Sequence, residues 1–205
     1  ARDLDVQVAH FTEESAAFDA RDRKLLAPFI SHLRTQREAV QQVVVSELTS
    51  ARYVELIRRL QQAAQDPAVV ESPLTVRDLA RREFKKLRKA IRRLVPSPSD
   101  TALHKIRIKT KRARYAADLA RSSVGKPAGR FIKSARAVQD LLGSHQDAIQ
   151  AELHVRQFLK YSTSVRAGFL AGRMVERQRQ RRRNVRTGMK PLFKTLLKRG
   201  KKAWE

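Results

Sequence analysis

The sequence predicts an all-α fold built from antiparallel helical bundles. Three observations carry that expectation. Apolar residues recur at three- and four-residue steps, and no stretch alternates apolar and polar residues as a strand would. The 7 Gly and 7 Pro fall mostly between these helical patterns. The patterns are long and joined by short polar loops, which favours antiparallel neighbours.

The elements follow in order. A first helix is expected over about Asp3 to Phe18. A second runs from about Arg23 to Gln65, with a break near Thr49-Ser50. Its apolar positions Leu26, Ile30, Leu33, Val40, Val44 and Leu48 keep the helical step. Asp66-Pro67 and Ser72-Pro73 punctuate the next connection. Thr75 is placed to cap a basic helix over Val76–Leu94, because a hydroxyl there accepts a hydrogen bond from the open first turn. Its apolar stripe is Val76, Leu79, Ala80, Phe84, Leu87 and Ile91. Pro96-Ser97-Pro98-Ser99-Asp100 is the clearest linker, since neither proline fits a helix interior. Helices then follow over about Thr101–Ser122, Ala128–Leu142, His145–Tyr161 and Val165–Leu197. In the third last of these, Phe131, Ala135, Val138 and Leu142 face the core.

Composition narrows the chemistry. The 205 residues include 45 Lys+Arg and 20 Asp+Glu, a formal net charge of +25. Residues 1–75 hold 9 basic and 11 acidic side chains, a net of −2, so the whole excess lies in residues 76–205. A chain this basic seeks a polyanion. With 41% hydrophobic residues it has enough apolar material for a core. The absence of cysteine excludes disulfides, thiol catalysis and Cys-based zinc sites. No stretch approaches the roughly 20 apolar residues of a membrane span. The expectation is a cytoplasmic protein without cofactor, metal or membrane partner.

One helix carries an unusual charge pattern. With residues about 100° apart around the axis, Leu103, Ile106, Thr110, Ala113 and Ala117 form one stripe. Ile108, Tyr115 and Leu119 form a second. Between them His104, Arg107, Lys111 and Arg114 stand in one line. Both apolar stripes call for burial, so this line is drawn inward, and several gathered cations are tolerable there only beside water or an anion. Arginine clamps two oxygens at once, lysine acts as a point charge, and a protonated His104 adds a donor. Tyr115 and Trp204 are expected to be packing residues.

Other constellations fail on spacing. His10 with Glu13 and Glu14, and Glu152 with His154, lack the matched Glu-x-x-His pairs of a di-iron bundle. No Gly-rich loop precedes Lys-Ser/Thr, and no nucleophile stands beside a base. No enzyme activity is expected. Asp3 and Asp147 are expected near helix starts, as dipole partners.

The stretch Leu103-His104-x-x-Arg107-Ile108-x-x-Lys111-Arg112-x-Arg114-Tyr115 resembles the second signature helix of the CHAD family, the conserved histidine α-helical domains. Phe131-x-Lys133…Val138-Gln139-Asp140-Leu141-Leu142-Gly143-x-x-x-Asp147 is similar to the next family element. Gly168, Gly172, Phe193 and Trp204 fall where the last helix carries Gly and aromatic positions. The resemblance implies two pseudo-symmetric four-helix bundles around a basic channel that binds inorganic polyphosphate without catalysis. It adds Lys133, and less directly Arg130, to His104, Arg107, Lys111 and Arg114 as binding residues. It also implies association with polyphosphate granules.

The family has two similar halves, and Ala1-Arg2-Asp3-Leu4-Asp5-Val6 looks like the segment that follows the first signature helix. The chain is therefore expected to be a fragment. Residues 1–95 would be the rest of the first half-domain with the connecting basic helix, and residues 101–205 the second half-domain. An incomplete first bundle exposes an apolar groove, which favours a homo-oligomer or helix exchange. The competing reading is a nucleic-acid-binding protein using the outer arginines Arg179, Arg181, Arg182 and Arg183. Groove-reading motifs and aromatic stacking residues give it little support.

Overall fold

The protein is described by a computed structural model covering residues 2–67, 72–160 and 164–205. Eight helices, and no strand, are found among the described residues: α1 (Arg2–Ala16), α2 (Ala20–Leu48), α3 (Ala51–Gln65), α4 (Val76–Arg92), α5 (Asp100–Leu119), α6 (Arg121–Val124), α7 (Lys126–Leu159) and α8 (Val165–Trp204). No helix among the described residues is long and apolar enough to cross a membrane.

The expected helix starts are explained by their caps. The Thr75 side chain accepts from the Asp78 backbone, and Asp78 answers by accepting from Thr75 N at 3.1 Å, a reciprocal capping box. The break at Thr49-Ser50 is equally local. Both hydroxyls donate back to carbonyls of α2, while Ser50 Oγ accepts from Tyr53 N and starts α3. Two expectations change. The stretches Ala128–Leu142 and His145–Tyr161 join into the single helix α7, which runs through Gly143 with Leu142 before it and His145 after it both buried. Tyr161 itself lies outside the described residues. Pro28 and Pro191 also sit inside helices, so not every proline marks a break.

Contacts divide the chain into two compact units, although not at the linker. The first is Ala1–Glu71 with Leu153–Val175, and the second is Ser72–Glu152 with Glu176–Glu205. In this division α4 falls with α5, and the long helices α7 and α8 each supply both units. The reason is α4's apolar stripe. Ala80, Phe84, Leu87 and Ile91 enter the same core as Leu103, Phe131, Leu196 and Trp204. The rings of Phe84, Phe131 and Trp204 meet edge to face at 5.7 and 5.9 Å. Gly200 lets α8 approach, since a Cβ there would collide with the Phe84 ring. Val76 and Leu79, expected on this stripe, are exposed instead, because the core begins one turn further along at Ala80.

The first unit packs Phe11, Leu26, Phe29 and Leu33 with Phe158. Its Asp22 accepts from Arg166 Nε at 2.6 Å. Leu26, Ile30 and Leu33 are buried as their spacing requires. Val40, Val44 and Leu48, on the same α2 pattern, are exposed, as are Leu56, Ile57 and Leu60 of α3. No described residue of α3 is buried.

Candidate functional site

The site is built on α5. Ser99 caps it, accepting from Ala102 N at 3.2 Å. Leu103, Ile106, Thr110, Ala113 and Ala117 are buried, and Thr110 returns its hydroxyl proton to Ile106 O. This first stripe is the core face. The second is not: Ile108, Tyr115 and Leu119 are 39%, 48% and 70% exposed. The expectation of two buried seams is therefore corrected to one, because the second unit packs only one side of α5. Tyr115 is accordingly not a core residue, whereas Trp204 is.

The cationic line follows this graded burial. Arg107 and Arg114 border the core and are half-buried, while His104 and Lys111 lie further round and are exposed. The Nε atoms of both arginines are buried without a hydrogen-bond acceptor. Arg107 reaches across to α7, where a Cβ on Gly143 would stand 3.9 Å from its Nε. Arg114 has Asp118 at 3.6 Å and its guanidinium 4.6 Å from the Tyr115 ring centre. Lys111 Nζ lies 5.7 Å from the same ring. Among the described residues His104, Arg107 and Lys111 have no carboxylate within ion-pair distance. Asp100 and Asp118 fall on the same side of α5 and bracket the line. Between His104 and Arg114 the helix rises about 15 Å.

Asp100 is the hub of a network that spacing along the chain did not reveal. It faces His145 Nε2 at 2.9 Å and accepts from Arg182 at 3.1 Å and Arg186 at 2.6 Å. Arg186 also donates to Pro98 O at 2.6 Å, and Arg182 to Glu152 at 3.0 Å. Burial raises the Asp100 carboxyl, but the His145 hydrogen bond and the two guanidinium charges together outweigh it and hold it below its ordinary value. Burial pushes His145 below its ordinary value, against the pull of Asp100. The network ties the start of α5 to α7 and α8.

The remaining expected residues are placed apart from the line. Lys133 and Arg130 are exposed on α7. From Gly143, which faces α5, Lys133 lies about 80° and Arg130 about 140° around the helix. Arg130 thereby stands on the α8 side, where its carbonyl accepts from Arg199. His104, Arg107, Lys111 and Arg114 share one side of α5, while Lys133 and Arg130 are set off the α7 face that carries Gly143. Arg136, two turns before Gly143 on almost the same face of α7, is exposed. The line lies on an open face. A cavity of about 370 Å³ in this unit is lined instead by Ile91, Leu94, Met189 and Phe193 with Pro98.

The outer arginines of α8 are largely paired. Arg183 donates to Glu176 at 2.5 Å, Arg179 faces Glu152 at 3.6 Å, and Arg181 donates to Gln178 at 2.9 Å. The Arg183 hydrogen bond holds the Glu176 carboxyl low. Asp3 lies in the first turn of α1 as expected, but Asp147 is interior to α7, since that helix does not restart at His145.

The family profile of the CHAD domain matches residues 1–156 of this chain. The match spans α1 to most of α7, and the α8 positions Gly168, Gly172, Phe193 and Trp204 lie beyond it. No curated protein matches the chain.

Proposed function

The chain belongs to the CHAD domain family, and from that premise we propose that it binds inorganic polyphosphate along the cationic line of α5, without catalysing a reaction on it. One observation carries the reading. Arg107 and Arg114 each hold a buried Nε–H that no acceptor among the described residues satisfies. A buried donor left unpaired costs free energy that an incoming oxyanion recovers.

The geometry favours a repeating anion over a single one. Four cations are strung along about 15 Å, so a chain with one charge per repeat engages several at once. Arg107 and Arg114 supply directional donors and Lys111 a mobile charge. Asp118, 3.6 Å from Arg114, marks one end of the line. Binding neutralises charge and releases counterions, so affinity falls with added salt.

Nucleic acid is served less well. Its sequence-tolerant binding uses open aromatic faces, but Tyr115 is flanked by Arg114 and Lys111. The α8 arginines are engaged with Glu152, Glu176 and Asp100.

A competition titration tests the proposal. Labelled polyphosphate is bound to the protein and challenged with duplex DNA at equal phosphate concentration, and the order is then reversed. Polyphosphate should displace DNA and resist displacement by it. The opposite order would assign the basic surface to nucleic acid.

A further inference from the structure

A third buried donor without an acceptor belongs to this region. Gln139 Nε2 on α7 is in the same condition as the Nε atoms of Arg107 and Arg114. It is neutral, so no count of charges selects it.

The pairing of α5 with α7 locates it. Asp100 meets His145, and Arg107 meets Gly143, so the two helices run antiparallel. One turn further along α5 is Lys111, and the matching turn of α7 is Gln139. Gln139 precedes Gly143 by four residues and lies about 40° from it around the helix. It thus stands on the border between the core and the face that receives Arg107. Guanidinium and ammonium groups are donors only, so neither can satisfy an amide N–H. An oxyanion bound along the line would bring the acceptor that this position lacks.

We propose that Gln139 contacts the bound polyanion directly, donating from Nε2 to a phosphoryl oxygen held at the same time by Arg107 or Lys111. This rests on the polyphosphate reading and adds a specificity-determining residue to it. A tetrahedral oxyanion offers several acceptor oxygens, so one phosphoryl group can bridge donors from both helices. A neutral hydrogen bond is short-ranged and releases no counterion. It therefore adds affinity equally at low and high salt, unlike the cations beside it.

The experiment measures labelled-polyphosphate affinity across a salt series for the wild type, Gln139→Leu and Gln139→Glu, with the melting temperature of each unliganded protein. Gln139→Leu should bind about 5- to 10-fold more weakly at every salt concentration, with an unchanged salt slope. Its unliganded melting temperature should equal or exceed that of the wild type, because a buried unpaired donor has gone. Gln139→Glu places a carboxylate beside Arg107 and Lys111, so it should bind more weakly still and with a shallower slope. Wild-type affinity in Gln139→Leu would overturn the proposal, as would a loss of affinity accompanied by a lower melting temperature. A wild type that binds no polyphosphate removes the ligand reading itself. A wild type that binds while Gln139→Leu is unaffected removes only the role of Gln139.

Discussion

Two stretches of the second unit are almost equally rich in cations, yet they differ in how those cations are satisfied. On α8, Arg179, Arg182, Arg183 and Arg186 meet Glu152, Asp100 and Glu176. On α5, His104, Arg107 and Lys111 meet no carboxylate among the described residues, and the Arg107 Nε is buried without an acceptor. The same residue type thus serves internal structure on one helix and is left open to a ligand on the other. Net charge locates a polyanion binder only in general. Accounting for each donor selects the proposed line.

The comparison is broken most directly by exchanging the two sets for alanine. Arg107→Ala with Lys111→Ala should weaken polyphosphate binding on the order of 100-fold, since two charge-assisted contacts are lost. The melting temperature should barely move. Arg182→Ala with Arg186→Ala should do the reverse. Affinity should stay within about twofold, while stability falls by about 2 kcal/mol, discounted because Asp100 is more than a third exposed. Thermal melts and titrations on both double variants decide the matter. An α8 variant that loses binding without losing stability would merge the two regions.

Salt sharpens the contrast. The slope of log affinity against log salt should become shallower by somewhat under one unit for each α5 cation removed, and should not change for the α8 variant.

Acid tests the Asp100 network. Both His145 and Asp100 titrate below their ordinary values of 6.5 and 3.8. As pH falls below about 6.5 the unfolded chain protonates this histidine while the folded chain resists, so stability declines. Asp100 adds a second loss below about pH 4, when its salt bridges are neutralised. Melting temperature should therefore drop by roughly 2–4 °C for each kcal/mol lost between pH 7 and 5. His145→Gln should flatten that part of the profile.

The smallest effect belongs to Gly143. Its Cβ position is in ordinary contact with Arg107. Gly143→Ala should keep wild-type affinity and raise stability by about 0.5–1 kcal/mol, the gain from removing a glycine inside a helix. Calorimetry with a parallel titration checks both halves.

Much of this was legible along the chain. The Thr75 cap, the break at Thr49-Ser50 and the buried stripe Leu103, Ile106, Thr110, Ala113 and Ala117 are local matters of side-chain chemistry and helical period. The line His104, Arg107, Lys111 and Arg114 follows from the same period. Less legible was the fate of Ile108, Tyr115 and Leu119, whose apolar character permits burial but cannot supply the neighbour that buries them. Gly143 reads as a stop because glycine favours helix ends, yet α7 runs through it with Leu142 and His145 buried. Lys133 and Arg130 share a helix with Gly143 but not its face.

By itself the sequence determined an all-helical chain, its caps, its one basic half and the order of charges around α5, because each depends on residues within a few turns of one another. Tertiary structure alone decided which cations remain open. Arg182 meets Asp100 across 82 positions of chain, and Arg107 lies against α7 at Gly143. A charge is satisfied by whatever lies beside it in space, and the period of a helix says nothing about what that neighbour is.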